Sequence, residues 1–288
     1  MTKEIENILF SRFVKQPIPF EFISIKELYD RCAQSQYDLS NPHRIEFHAL
    51  IIITEGNSRH TIDFHVQEIY QGVILPITKG QVHSFNKELT VKGFVISFDE
   101  VFITENISEK NLFHFFHLYN TPSIHLGKQN LKLVEPYLQL LKRQQNHSDM
   151  NLKAELIHTA FIMLLLQIKH LANYQKNIFE SQRFKDFIQL KQLITKHYKQ
   201  SHNAKEYAKM MRVSYKYLND VCKEVCNKTV KAFIDDWLLL EIKRNISENK
   251  YTSQEIAYKM GFKEHSNFIR FFKKFTGTTP HKFKSEIH

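Results

Sequence analysis

The sequence predicts an α+β chain of more than one domain: a small β-barrel or sandwich with covering helices, followed by an all-helical C-terminal part. Three observations predict it. Five of the seven Gly and five of the seven Pro precede residue 128, with no Gly from 128 to 260 and no Pro from 137 to 279. A turn-rich front therefore leads into a long helical back. Charge is segregated: residues 1–180 hold 18 Lys/Arg against 19 Asp/Glu, and residues 181–288 hold 22 against 11. Lastly, the basic part contains an internal repeat, 204–233 resembling 253–283.

The 288 residues suffice for about two domains, and 42% hydrophobic with 24% charged residues fits a soluble globular chain. "MTKEIENILF" does not read as a signal peptide. The most apolar segment, "AFIMLLLQI" (160–168), is about half the roughly 20 residues of a membrane span, so it is expected to be a buried helix. Cys32, Cys222 and Cys226 form no CxxC pair, which argues against a disulfide framework or zinc ribbon and for a reducing cytoplasm. A neutral body with a basic C-terminal part implies a polyanion partner for that part.

Residues 44–102 predict short strands broken by turns. "EFHALIIITEG" is β-branched and ends at Gly56. "RHTIDFHV" alternates, which puts Ile62, Phe64 and Val66 on one face. Gly72, Pro76 and Gly80 fall at turn-like spacing in "YQGVILPITKGQVHSFN", and "VKGFVISFDEVFI" is a further strand. Residues 128–147 and 150–172 predict helices, the first with Leu131, Val134, Leu138 and Leu141 on one face. The second is apolar nearly all round, so it must bury two faces. One face can cover the barrel; the other suits either a single intramolecular core or a second subunit.

In the repeat, both copies read helix, tight turn, helix. Val221, Cys222, Val225 and Phe233 correspond to Phe271, Phe272, Phe275 and Phe283. Asn203 with Glu206 and Thr252 with Glu255 read as capping boxes. Ala208 and Ala257 are small residues where a following helix can cross closely, Gly261 marks the second turn, and 233–249 is a joining helix. In a helix-turn-helix the second helix enters the major groove, apolar inward and polar outward. Projected at 100° per residue, Phe268, Phe271, Phe272 and Phe275 fall on the inward side of 265–275. Ser266, Arg270 and Lys273 fall outward, flanked by Asn267, Ile269 and Lys274. Arg forks to guanine, Asn pairs with adenine, Ile meets a thymine methyl, and Lys273 and Lys274 suit phosphates. In the first copy Leu218, Val221, Cys222 and Val225 point inward, with Lys216, Asn219, Asp220 and Lys223 outward and Glu224 nearby. Asp220 repels phosphate, although it can accept from a cytosine amino group.

"EIAYKMGFKEHSNFIRFFKKFTGTTPHKF" resembles the C-terminal signature of AraC/XylS-type transcription regulators. Ile256-Ala257, Gly261-Phe262, Phe268, Arg270, Phe272-Lys273, Gly277 and Pro280 are in register. The resemblance covers about residues 181–286 and implies two helix-turn-helix units joined by a long helix, entering successive segments of the major groove. It carries base reading to Lys216, Asn219 and Asp220 in the first unit and to His265, Ser266, Asn267 and Arg270 in the second. Trp237 and Leu238 stand where the family often has an Arg. More loosely, 72–86 is similar to the second cupin motif, with Pro76, Gly80, His83 and Asn86. Metal-binding cupins add a His-x-His pair and a carboxylate. Here His43 and His48 are five apart with Ile45 between them, and His65 has no matching spacing, so no metal and no other cofactor is expected.

The resemblance implies a cupin-like effector domain at 1–127, a helical dimerisation region at 128–175, a linker at 176–182 and an AraC-type DNA-binding domain at 183–288. It implies a cytoplasmic regulator without catalytic residues. The expected partners are double-stranded DNA, RNA polymerase, a small-molecule effector and a second copy of the chain, with no membrane. Two alternatives stay open: a metal-dependent cupin enzyme with a DNA-binding tail, holding metal through His43, His48 and His83, and a non-specific architectural DNA binder.

Overall fold

The computed structural model describes residues 5–13, 18–63, 65–99, 102, 123–147, 150–172, 181–226 and 228–287. The chain divides into two compact units, residues 6–174 and residues 1–5 with 175–288.

The first unit runs β1 (Glu6–Ile8), α1 (Phe10–Phe13), β2 (Phe20–Ser24), α2 (Ile25–Gln34), β3 (His43–Ile45), β4 (His48–Ile62), β5 (His65–Tyr70), β6 (Val73–Ile77), β7 (Val82–Ser84), β8 (Val91–Phe98), β9 (Ile124–His125), α3 (Gly127–Gln145) and α4 (Met150–Leu171). β4 is its spine. The first half of β4 pairs antiparallel with β6 and β8, and the second half pairs with β5 and β7. Between the halves the register against β8 shifts at Ile53/Glu55, and Gly56 adopts φ 82°. Gly56 was expected to end a strand. Instead it lets one 15-residue strand bend through the sheet: a Cβ there would lie 2.2 Å from the Thr90 carbonyl oxygen.

The run "ALIII" is apolar throughout because β4 is buried on both faces. Leu50 and Ile52 face a core shared with Phe20, Phe22, Ile96 and Phe98 and with the helices, through Leu131, Val134, Leu138, Leu141, Phe161 and Leu164. Ala49, Ile51 and Ile53 face the barrel interior with Ile45, Leu75, Ile77, Phe85 and Val95. A period of two thus splits one apolar string between two cores. By length and mean hydropathy (1.3 over Leu152–Leu171) α4 could cross a membrane; here its Ile157, Phe161, Leu164, Leu165 and Ile168 pack on the barrel, while Leu152, Met163 and Leu166 are exposed.

Two further strand expectations are corrected. Ile62 and Val66 do not share a face, because the chain turns at Asp63 (φ 46°) and β4 pairs with β5 as a hairpin: Ile62 is buried and Val66 is 58% exposed. Phe64 lies outside the described residues. Pro76 marks no turn. It sits inside β6 opposite Leu50, beyond the two residues that β9 pairs, where a missing N–H breaks no ladder bond on that edge. Gly72 and Gly80 do turn, at φ 88° and 84°. No strand or helix was expected before residue 44. That stretch supplies β2 and α2, the latter opened by a reciprocal Ser24–Glu27 capping box.

The second unit is helical: α5 (Gln182–His197), α6 (Ala204–Met210), α7 (Tyr215–Cys226), α8 (Val230–Ser247), α9 (Ser253–Lys259), α10 (His265–Thr276) and α11 (Pro280–Ile287). Ser181 caps α5, so the last residues of the expected linker already belong to a helix; 176–180 lie outside the described residues. Phe184, Leu190, Ile194, Tyr207, Leu218, Ile234, Leu238, Ile242, Ile256, Phe268 and Phe272 form the buried interior. α6–α7 and α9–α10 are the two helix-turn-helix units, and α8 joins them. Their turns are built alike. Arg212 (φ 57°) and Gly261 (φ 82°) are left-handed, and the next N–H in each reaches back 3.0 Å to the carbonyl of Ala208 or Ala257. Glycine is required in the second, since a Cβ on Gly261 would meet the Lys199 carbonyl oxygen at 2.3 Å. The second turn also holds one more residue before its helix starts.

Caps differ between the units. Thr252 and Glu255 form the expected box. Asn203 caps α6 by accepting from the Lys205 N–H, and the expected box with Glu206 does not form.

Candidate nucleic-acid interface

α10 buries Phe268 and Phe272 completely, half-buries Phe271, and leaves Phe275 37% exposed at the edge of the aromatic side. The expected inward quartet is therefore a core pair with a graded flank: Phe271 packs at a tilt between Phe262 (5.5 Å between centroids) and Phe275 (4.8 Å). Val225, the match of Phe275 in the first unit, is likewise only half-buried. The opposite side of α10 exposes Ser266, Asn267, Arg270, Lys273 and Lys274. Arg270 Nη2 donates to Asn267 Oδ1 one turn earlier, which aims the guanidinium along the helix surface. Lys274 Nζ lies 5.3 Å from the Phe275 ring. His265 turns inward from its expected place: its Nε2 is 2.9 Å from Ser253 Oγ on α9, and its ring stacks on Phe268. It ties α10 to α9.

α7 is different. Leu218, Val221 and Cys222 are buried, and Lys216 and Lys223 are exposed. Asn219 is half-buried, and its Oδ1 accepts from the Val230 N–H at 3.2 Å, satisfying a donor at the start of α8. Tyr217 donates its hydroxyl proton to Asp186 (2.5 Å), and Arg183 pairs with Glu224. Asp220 is half-buried on the same face. Cys226 Sγ contacts the Cys222 carbonyl at 3.1 Å, an ordinary intrahelical contact.

In the barrel, His60 joins His43 and His83, a grouping that the sequence reading had not made. His43 and His83 are cross-strand partners with ring centroids 4.4 Å apart, and His60 Nε2 lies 3.1 Å from His83 Nδ1. His43 Nδ1 donates to the Asn41 carbonyl at 3.0 Å. His60 Nδ1 and His83 Nε2 are buried with no hydrogen-bond partner. Burial, reinforced by His43, holds His60 down to about 3, and His83 is held well below the ordinary imidazole value by burial and by His43 and His60. Burial also lowers His43. All three are neutral near pH 7. The signal for His60 lay in β4's length, which the Gly56 break concealed. His48, the other histidine of the metal alternative, stacks on Phe98 away from this group. Among the described residues, no group of three or more His, Cys, Asp or Glu is arranged to hold a metal ion. A cavity of about 60 Å³ adjoins His43 and His83, lined also by Ile23, Arg31, Ile51 and Phe85. Arg31 forks onto Glu21 at 2.9 and 3.1 Å at its side.

Residues 207–286 match the family model described as a helix-turn-helix domain, and residues 28–162 match the model described as an AraC-like ligand binding domain. The chain belongs to the AraC family of transcription regulators. In this AraC-family chain the first match runs from α6 to α11 and the second from α2 into α4. It is 31% identical over 102 residues to the Msm operon regulatory protein of Streptococcus mutans, a match spanning 34% of this chain and 36% of that protein. It therefore spans about a third of the length of that curated relative. Among solved structures, ToxT of Vibrio cholerae aligns over 92% of this chain and 97% of its own, with 12% identity and a TM-score of 0.46. The AraC-like transcriptional activator CuxR aligns over 77% and 73%, with 10% identity and a TM-score of 0.32.

Proposed function

We propose that the chain is a sequence-specific DNA-binding transcription regulator whose second helix-turn-helix unit enters the major groove. One observation carries this: α10 fixes its position by burying Phe268 and Phe272 while exposing Ser266, Asn267, Arg270, Lys273 and Lys274 on one side. An exposed fork, an amide and two point charges on a rigid helix are the chemistry of base and phosphate contact. The excess of basic residues in 181–288 draws the unit to DNA whatever its sequence.

The remaining partners follow from the same reading. A second copy pairs through the exposed Leu152, Met163 and Leu166 of α4, so that two units meet repeated half-sites. RNA polymerase is the downstream contact, and the cytoplasm is the compartment. The effector binds in the barrel beside His43 and His83. A cavity of about 60 Å³ has room for a few water-sized groups, so a larger effector must open the barrel to enter. Immunoprecipitation of the chain from cross-linked cells tests the reading. Discrete bound sites sharing one motif are expected; occupancy spread in proportion to DNA content would make the chain an architectural binder instead.

A further inference from the structure

We propose that the two helix-turn-helix units divide recognition: α10 reads bases, and α7 holds phosphates without reading sequence. The inference rests on the DNA-binding reading above and deepens it.

An asparagine reads adenine through both ends of its amide, accepting at Oδ1 and donating from Nδ2. Asn219 has given Oδ1 to the Val230 N–H, and Val230 is fully buried. Turning Asn219 toward a base would leave that donor at the start of α8 unsatisfied, which opposes the turn. Its acidic neighbours add to this. α7 carries Asp220 and Glu224, whereas α10 carries no Asp or Glu. Glu224 is occupied by Arg183, and Tyr217 by Asp186. Beside the Tyr215 hydroxyl at its first residue, the exposed polar tips left on α7 are Lys216 and Lys223, compact charges without the planar fork that tells guanine from other bases.

α10 keeps what α7 has lost. Arg270 and Asn267 bond to each other, but both are solvent-exposed, so a base edge can replace that bond at no cost in buried groups. Ser266 is exposed beside them, and Ile269 is half-exposed where a thymine methyl would lie. The asymmetry is built into the joints of the fold: the first unit spends its central amide on capping α8, and the second closes with glycine at Gly261 and a His265–Ser253 contact that leaves the outer face clear.

The test selects duplexes from a random-sequence pool with the full chain and with variants on α7 and α10, each checked for retained helical signal. The wild-type chain is expected to enrich a motif. The K216A/K223A variant should enrich the same motif, binding all duplexes more weakly and lowering the salt slope by about 2. Asp220→Ala should also leave the motif intact. Asn219→Asp keeps an acceptor for Val230 and removes the amide donor; it too should preserve the motif. S266A/N267A/R270A should lose it. Loss of motif positions in any α7 variant, or an intact motif in the α10 triple variant, overturns the division. If the wild-type chain enriches nothing, the DNA-binding reading itself fails.

Discussion

Acidification should loosen the barrel, and His60 and His83 should account for most of it. An unfolded imidazole titrates near 6.5. In the fold His60 is held down to about 3 by burial and by His43, and His83 is pushed in the same direction. The folded state therefore refuses protons that the unfolded state takes up. Stability from this source is intact above pH 6.5 and falls as pH drops from 6.5 toward about 3. At pH 5.5 each neutral imidazole costs RT ln(1 + 10), about 1.4 kcal/mol, so the pair costs about 3 kcal/mol relative to pH 8. His43, lowered by burial, acts in the same sense. Against a typical domain stability of about 5–15 kcal/mol this is a large fraction. The assay is urea unfolding followed by hydrogen exchange in the 48–62 strand, with fluorescence of the single Trp237 reporting on the other unit. The H60L/H83L variant should lose about 3 kcal/mol of the pH dependence. If wild type and variant lose the same stability between pH 8 and 5.5, the histidine argument is wrong.

Other perturbations follow from single joints of the second unit. Gly261→Ala sets a Cβ 2.3 Å from the Lys199 carbonyl at a left-handed φ and should cost at least about 2 kcal/mol in Trp237-monitored unfolding, whereas a cost under about 0.5 kcal/mol would contradict the close approach. Thr252→Ala removes the side-chain acceptor for the Glu255 N–H and should cost about 1 kcal/mol in the same assay. Lys273→Ala should weaken binding to all duplexes alike and flatten the salt dependence by about 1 unit of slope; a change of preferred sequence would instead place Lys273 on a base.

Much of the second unit was legible in the sequence because its signals are local. A repeat, a Thr–x–x–Glu cap, a glycine at the turn and phenylalanines at 3–4 spacing each act within a few residues, and α9 and α10 follow them closely. What was not legible depends on distant partners. Asn219 and Asn267 look equivalent on a helical projection, yet Asn219 is claimed by Val230 N–H eleven residues on. The resemblance carried base reading to His265, but its Nε2 lies against Ser253 Oγ. In the barrel the apolar string of β4 announced a buried strand, but not that Gly56 bends it rather than ends it; that depends on the Thr90 carbonyl of a neighbouring strand. His60 was missed for the same reason, since only the continued strand brings it to His83. Asn203 shows the limit even of local patterns: it caps α6, but at Lys205, and Glu206 makes no reciprocal bond.

The central claim is that Arg270 on the exposed side of α10 reads a base. It is tested most directly by measuring affinity of the full chain and of Arg270→Ala for the enriched duplex and a scrambled one across a salt series. The account predicts that wild type prefers the enriched duplex by at least about 1,000-fold and that Arg270→Ala cuts this preference by about 5–150-fold, with binding to the scrambled duplex little changed. Equal affinity of the wild-type chain for both duplexes, or an unaltered preference in Arg270→Ala, would contradict it.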